Sequence, residues 1–334
     1  MYKFVYIDWE NDYDLFFGRC YEKMTHNVFQ NVAPDKRKDR LLRFLYKLHN
    51  TPKIAKHIHL PFKGIWNRWY LDKAVRKKLD RADCVCFVFT GLQYQLDEVG
   101  FFDYLRKQYP HCRLLHVFGD KVALYENRSK TFSMDAMKQR FDVVASYNEE
   151  DVKTYGLAQL PPTPHDYSIV EEDESIPSSD LIFVGREKGR LNELISIYEK
   201  CTAAGLVCDF HIVGVPEEKQ KYQESISYNK KISYMELLTR TKRSRCVLNI
   251  IQDGVVGVTL RDYEAIGMNK LLMTNGKAVR EVPGFCEDML IDTDNLDAEL
   301  YKLTSNAHTS WGSQHPISFS DYFGALGRIV FENP

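Results

Sequence analysis

One strand–turn–helix–strand segment in the second half of the chain constrains the fold more than any other feature. The run CVLNII at residues 246–251 is apolar and rich in branched side chains, which is typical of a strand buried in a parallel sheet. A turn with Gly254 and Gly257 follows, then a helix that we expect to begin near Thr259, then a second buried strand at residues 270–274. In such units ligands bind at the carboxyl ends of the strands, where helix N-termini offer N–H groups to phosphate. The segment therefore predicts an α/β fold with an anion site.

Strands and helices alternate through almost the whole chain. The predicted strands are residues 2–7, 84–89, 113–118 and 143–146 in a first sheet, and residues 181–184, 210–213, 246–251, 270–274 and 289–291 in a second. Helical spacing occurs at residues 98–108, 133–140 and 190–204, the last with an apolar stripe of Leu191, Leu194, Ile195 and Tyr198. Because crossovers between parallel strands are right-handed, the pattern predicts two doubly wound parallel sheets.

Composition indicates two domains of a globular protein. Residues 160–179 contain four prolines and the acidic run 171–174 and lack periodicity, which is typical of a linker. We therefore expect one Rossmann-like domain at residues 1–165, a second at residues 166–316, and a terminal helix within residues 317–334. No apolar run approaches the roughly 20 residues of a membrane-spanning helix. The start MYKFVYID does not resemble a signal peptide, and the eight scattered cysteines indicate reduced thiols, so we expect a cytoplasmic protein.

Three motifs occur in order between Asp142 and Thr274. They are DVVASYNEED at residues 142–151, DLIFVGR at residues 180–186 followed by Arg190-Leu191, and Gly257-x-Thr259-x-Arg261-x-x-Glu264-Ala265. Together they resemble bacterial glycosyltransferases of the GT-B fold, within them the CgeB-like branch of lipopolysaccharide, capsule and spore-coat biosynthesis. The resemblance implies two Rossmann-like domains with an interdomain cleft, and a C-terminal helix that crosses back to the N-terminal domain. It also implies an acceptor on the side of the first domain.

The resemblance implies that the second domain binds a nucleotide sugar, which we expect to be a UDP-sugar acting as co-substrate, with no cofactor. The candidate donor-nucleotide residues are Gly185, Arg186, Lys188, Arg190, Gly257, Thr259, Arg261 and Glu264. Basic side chains at such a loop can neutralise a leaving diphosphate, although a solvated loop is the alternative. Glu264 would accept the ribose hydroxyls, or else complement the helix dipole. Arg261 would reach the diphosphate, or else pair with Glu264 three residues away.

The sequence departs from the family pattern at one position. Many retaining GT-B enzymes carry two glutamates with seven residues between them, and Glu264 matches the second. Val256 stands where the first glutamate would be, so the retaining mechanism is not implied.

Acids after the first predicted strand are candidates for the catalytic base. An inverting transferase needs a carboxylate or histidine to take the acceptor proton. Asp8 is the first candidate, Asp12 the second, and His116 near the end of another strand competes for the role. Each acid could equally be a solvated turn residue, and Asp8, Glu10 and Asp12 together could bind a metal through oxygen ligands. Because GT-B enzymes usually stabilise the diphosphate with protein cations, we predict no metal requirement.

The basic segment from Lys36 to Lys78 stands out in a chain of net charge −1. Its 43 residues contain 14 lysines and arginines against two acids, a local net charge of +12. Within it LLRFLYKLH, residues 41–49, places Leu41, Phe44, Leu45 and Leu48 on one helical stripe, with Arg43 and Lys47 elsewhere. This pattern is typical of a helix that lies on an anionic membrane surface, which we expect to be the inner face of the membrane. A helix packed on its own sheet is the alternative.

Three functions fit these observations. The first is transfer of a sugar from a nucleotide diphosphate to a cell-surface glycan or glycolipid. A nucleotide-sugar epimerase on the same fold would need no acceptor site, so the basic segment counts against it. A non-enzymatic polyanion-binding module would leave residues 257–264 without a purpose. We therefore expect a nucleotide sugar, a glycan or lipid-linked acceptor and an anionic membrane as partners, and no nucleic acid.

Overall fold

The chain forms two compact units, each of which contains a six-stranded parallel sheet. Unit 1 comprises Met1–Thr163 and Ile317–Pro334, and unit 2 comprises Pro164–Pro316. The computed structural model describes residues 2–7, 16–18, 20–21, 23, 25–31, 39–50, 63–90, 100–128, 132–161, 167–252, 257–282, 284–305, 310–311 and 318–332.

The described strands and helices follow the alternation that the sequence predicts. The strands of unit 1 are β1 (Tyr2–Ile7), β2 (Val28–Gln30), β3 (Cys84–Phe89), β4 (Arg113–Phe118), β5 (Val143–Ser146) and β6 (Ala158–Gln159). Those of unit 2 are β7 (Ser179–Arg186), β8 (Cys208–Val213), β9 (Ile226–Tyr228), β10 (Ser244–Asn249), β11 (Leu271–Thr274) and β12 (Leu290–Asp292). The helices are α1 (Arg40–Asn50), α2 (Asn67–Tyr70), α3 (Lys73–Lys78), α4 (Phe101–Gln108), α5 (Val122–Arg128), α6 (Met134–Arg140), α7 (Glu149–Tyr155), α8 (Leu191–Ala203), α9 (Tyr234–Lys242), α10 (Leu260–Gly267), α11 (Leu296–Glu299), α12 (Tyr301–Thr304) and α13 (Phe319–Gly327).

The sheet of unit 1 has the strand order β2-β1-β3-β4-β5-β6, with every neighbouring pair parallel. In β3 the alternating side chains Phe87 and Phe89 are buried on one face, and Cys86 and Val88 are buried between them on the other. Burial of both faces explains why the central strands are almost wholly apolar in sequence.

The sheet of unit 2 has the order β12-β11-β10-β7-β8-β9, also with parallel pairs throughout. Together the two sheets confirm the predicted pair of doubly wound, Rossmann-like domains. The apolar stripe predicted on α8 is also observed, because Leu194, Ile195 and Tyr198 are buried against β8 and its neighbours.

The C-terminal helix α13 and the turn after it pack on β1 within unit 1. The Tyr2 ring stacks on Phe331 with ring centroids 4.6 Å apart, and Phe323 lies 5.2 Å from Phe4. A Cβ atom at Gly327 would collide with the Tyr2 ring, so only glycine fits at this contact.

Two observations bear on the expectations from composition. The eight cysteines are free thiols, and most of them are buried. Among the described residues, no helix has the length and apolar character needed to cross a membrane.

Candidate functional site

The order in which strands are added to the sheet of unit 2 reverses between β7 and β10. From β7 the sheet extends through β8 to β9, and from β10 it extends the opposite way through β11 to β12. In open α/β sheets, ligands bind outside the carboxyl ends of the strands where the order reverses. Those ends are Arg186 of β7 and Asn249 of β10. The loop after β7 and the start of α10 are therefore the candidate anion site.

The loop after β7 presents two exposed cations, Arg186 and Lys188. The turn is tight, because Lys188 and Gly189 have φ angles of +42° and +83° and the Gly189 N–H donates to a Glu187 carboxylate oxygen at 2.7 Å. Within the described part of the chain, neither cationic group has a hydrogen-bond acceptor or a carboxylate partner. Their charges are therefore available to an anionic ligand.

Arg190 has a structural role that the sequence did not indicate. Its guanidinium donates to the backbone oxygens of Arg186 at 2.7 Å and of Glu187 at 3.3 Å, and to the backbone oxygen of Ile250 just after β10. Burial lowers its pKa. The side chain therefore ties the loop after β7 to the end of β10, and because two of its five N–H groups remain, its predicted contact with phosphate stays a prediction.

The start of α10 is fixed by a capping arrangement that includes two residues the sequence analysis missed, Asn249 and Asp262. The Thr259 N–H and hydroxyl donate to Asp262 Oδ2 at 2.8 and 3.1 Å. The Asn249 amide donates to Thr259 Oγ1 at 2.9 Å and to Asp262 Oδ1 at 2.7 Å. The signal that could have found Asp262 is the Thr-x-x-acid spacing of a capping box. Thr259 therefore caps the helix, whereas we expected its hydroxyl to bind phosphate.

Backbone groups at the start of α10 remain suited to an anion. The N–H groups of Leu260 and Arg261 lie in the first turn, where no intrahelical acceptor exists. Gly257, two residues before the cap, has a φ angle of +100°, a left-handed conformation that favours glycine. Gly185 lies within β7, where a Cβ atom would approach the Phe183 ring to 3.3 Å.

Glu264 is completely buried and has a partner on each carboxylate oxygen. Tyr234 Oη donates to Oε1 at 2.8 Å, and Arg261 Nη1 donates to Oε2 at 2.5 Å. The second Arg261 nitrogen donates to the backbone oxygen of Val184 in β7 at 3.2 Å. Burial raises the pKa of Glu264, while Arg261 and Tyr234 oppose that shift. The structure thus has the (i, i+3) pair, and this pair joins α10 to β7 and α9.

His116 lies in the core of unit 1 and not at its surface. Its side chain is 0% exposed and packs against Phe118 and Phe141, at ring-centroid distances of 4.5 and 5.2 Å. Neither ring nitrogen has a hydrogen-bond partner among the described residues, and burial lowers the pKa of His116 from 6.5 to about 3. A buried neutral imidazole cannot meet an acceptor, so His116 is no longer a candidate for the catalytic base.

The other catalytic candidates lie outside the described residues. Asp8 and Asp12 follow β1, which neighbours β3 where the order of the unit 1 sheet reverses, but their own placement is not described. Val256 and Gly254 are also outside the described ranges. Among the residues that are described, no three histidine, cysteine or acidic side chains gather at one point.

Solved glycosyltransferase structures have the same fold at low sequence identity. An alpha-glucosyltransferase in complex with UDP has a TM-score of 0.54 and 14% identity, covering 91% of this chain and 90% of that chain. The alpha-glucosyltransferase complex with UDP and a 13-mer DNA containing an A:G mismatch gives the same values. The complex with UDP-glucose and DNA containing an abasic site gives 0.51 and 14%, covering 91% and 89%. No protein-family model and no curated protein matches the sequence. The likeness establishes the GT-B fold.

One expectation about partners is wrong. We excluded nucleic acid because a simple polyanion-binding module would leave the segment at residues 257–264 without a purpose. Two of the similar structures hold a uridine nucleotide and DNA together. On this fold a nucleotide site and a nucleic-acid partner are therefore compatible, and the exclusion is withdrawn.

The buried His116 predicts a pH-dependent stability of unit 1. The folded state holds the imidazole neutral down to a pKa of about 3, whereas the unfolded chain binds a proton near 6.5. Stability is therefore lost as the pH falls below 6.5, by about 2 kcal/mol between pH 7 and pH 5 from this group. Urea denaturation at both pH values should show this loss in the wild type and not in His116→Leu. The variant His111→Gln, at an exposed histidine, should keep the wild-type difference in the free energy of unfolding between the two pH values. An equal difference in all three proteins would contradict the prediction.

The buried pair in unit 2 predicts a structural cost for Glu264→Gln. The substitution removes the carboxylate charge that Arg261 faces, so a buried charge-assisted hydrogen bond is replaced by a weaker bond to a neutral amide oxygen. We expect the free energy of unfolding to fall by about 1–3 kcal/mol in urea titrations. The matched control is Glu149→Gln, which removes the exposed (i, i+4) pair with Lys153 and should change stability by less than about 0.5 kcal/mol. Equal effects of the two substitutions would show that Glu264 does not hold α10 in place.

Proposed function

We propose that this protein transfers a sugar from a nucleotide diphosphate, a UDP-sugar, to an acceptor. The observation that carries the proposal is the exposed pair Arg186 and Lys188, which stands at the carboxyl end of β7 where the sheet order reverses. The likeness to an alpha-glucosyltransferase in complex with UDP supports a uridine nucleotide as the donor.

The diphosphate would bind between the loop after β7 and the start of α10. There Arg186 offers a planar guanidinium and Lys188 a compact ammonium charge. The first N–H groups of α10 add the positive end of the helix dipole. The backbone that carries these groups is held in place before the ligand arrives, so they can stabilise the charge that develops as the diphosphate leaves. Glu264 would act through Arg261 and Tyr234 by holding the helix that carries these N–H groups.

The acceptor side of the proposal rests on the resemblance of the sequence motifs. We propose a cell-surface glycan or glycolipid, as in the branch of lipopolysaccharide, capsule and spore-coat biosynthesis. Asp8 is the first candidate for the base that takes the acceptor proton, and Asp12 is the second. Because similar structures contain DNA, duplex DNA belongs among the acceptors to be assayed.

The donor site is tested by nucleotide affinity. A thermal-shift panel of UDP, GDP, CMP and TDP sugars should show stabilisation by the UDP-sugars. A ligand at 100 times its dissociation constant stabilises the folded protein by about 2.7 kcal/mol. The double variant Arg186→Gln/Lys188→Gln should bind UDP at least about tenfold more weakly in calorimetry, which corresponds to 1.4 kcal/mol or more.

A matched control removes the same charge elsewhere in unit 2. Lys219→Gln/Lys221→Gln replaces two exposed lysines beyond β8 and should leave the affinity for UDP unchanged. If both double variants weakened UDP equally, the loss would reflect the general charge of unit 2. The loop after β7 would then not be the diphosphate site.

Turnover should not depend on a divalent metal, because protein cations and helix N–H groups neutralise the diphosphate in this proposal. Release of UDP from the nucleotide sugar that binds in the panel should be unchanged in excess EDTA. A loss that manganese or magnesium restores would make Asp8 and Asp12 metal-ligand candidates instead. An isomerised nucleotide sugar without UDP release would identify an epimerase.

A further inference from the structure

Exposed apolar side chains are concentrated on helix α1 and the turn before α2. Six of the ten large apolar side chains exposed in the described part of the chain lie here, and they are Leu41, Leu42, Phe44, Leu45, Leu48 and Ile65. Leu41, Phe44 and Ile65 are 68%, 63% and 64% exposed. The alternative that α1 packs its apolar stripe on its own sheet is therefore wrong. Patches of this kind mark interaction sites on folded proteins.

Tyr46 joins α1 to the aromatic side chains around α2 in unit 1. Its ring lies 5.3–5.6 Å from the rings of Trp66, Trp69 and Tyr70, and its hydroxyl is 2.9 Å from that of Tyr70. The leucines of the same helix are exposed. A cavity of about 690 Å³ opens beside them, and its lining is Leu42, Leu45, Leu48, Ile65, Trp66, Arg68, Trp69 and Arg76.

Among the described residues, cations outnumber acids around this apolar surface. Arg40, Arg43 and Lys47 form a basic stripe along α1, and Arg68 and Arg76 border the cavity. The two acids of the segment are used as helix caps: Asp39 accepts from the Leu42 N–H at 3.0 Å and Asp72 from the Ala74 N–H at 2.7 Å. The other basic residues at its start, Lys36, Arg37 and Lys38, lie outside the described residues.

We propose that α1 and the cavity beside it, here called the α1 surface, dock onto an anionic lipid membrane. A second copy of this chain would bring cations against cations. A nucleic acid would pair with the cations and could take one or two apolar side chains between its base steps, but it has no apolar layer for the whole row from Leu41 to Leu48. An anionic bilayer supplies both, since headgroups attract the basic stripe and the acyl boundary takes the apolar side chains.

This inference is independent of the proposed function. Membrane docking follows from the α1 surface in unit 1, whereas nucleotide binding follows from the loop after β7 in unit 2. A protein that binds UDP but not vesicles would retain the proposed function and lose this inference. If the protein bound vesicles but not UDP, the reverse would hold.

The test is co-sedimentation with vesicles of phosphatidylcholine alone and of phosphatidylcholine mixed with phosphatidylglycerol. The wild type should bind the anionic vesicles and not the neutral ones. Leu41→Ser/Phe44→Ser/Leu48→Ser should weaken that binding by about tenfold for each side chain that enters the acyl boundary. Because all three side chains are exposed, the variant should keep the wild-type melting temperature.

The matched control is Leu124→Ser/Val207→Ser/Tyr301→Ser, which replaces three exposed apolar side chains remote in sequence from α1. It should bind vesicles as the wild type does. Equal binding by the two triple variants, or no binding of the wild type to anionic vesicles, would overturn the proposal. So would tight binding of duplex DNA without vesicle binding, or a dimer in sedimentation that only the α1 variant dissociates.

Discussion

The parallel pairing of β7 with β10 is the constraint on which the candidate site depends. Cys246 lies opposite Leu181, and Val247 lies opposite Ile182. Leu181 and Cys246 belong to the core on one face of the sheet, and Ile182 and Val247 belong to the core on the other face. A slip of one residue would move each of these side chains into the wrong core. The two cores therefore fix the register, and the register brings both carboxyl ends to the same edge.

At the carboxyl ends of β7 and β10, side chains supply the hydrogen bonds that neighbouring strands supply within the sheet. Backbone groups that leave a sheet still need partners when they are buried. Arg190 supplies donors to the carbonyls after β7 and β10, and Asn249 ties the end of β10 to the cap of α10. The Arg261–Glu264 pair then joins α10 to β7. These polar residues hold the backbone, and Arg186 and Lys188 are the cations of this segment with no partner among the described residues.

The sequence predicted the architecture well because long apolar runs are a strong signal. Residues 2–7 and 84–89 were predicted as strands, and β1 and β3 have those bounds. The strands β2, β6 and β9 were missed, since they are two or three residues long and lie at sheet edges, where no periodicity develops.

The candidate site was harder to predict than the fold. A spacing of three residues allows Arg261 either to pair with Glu264 or to reach a phosphate, and only the burial of Glu264 by the tertiary structure separates the two. The backbone oxygens that engage Arg190 leave no trace in the sequence. His116 stands near the end of β4, but every side chain of that strand after Arg113 is buried, so its position in the strand did not indicate exposure.

The two groups of cations differ in a way that suits two different anions. Arg186 and Lys188 stand on a tight turn that Arg190 pins to the neighbouring strand, so their backbone positions are fixed before a ligand binds. A fixed pair of charges favours a compact diphosphate, whose developing charge appears at one place. The basic stripe of α1 instead carries long side chains along a helix, beside exposed leucines. Such a stripe cannot define one phosphate position, but it can follow a surface on which the charge is spread and mobile. The two proposals thus assign the small anion to cations on a rigid turn, and the extended anionic surface to cations spread along a helix.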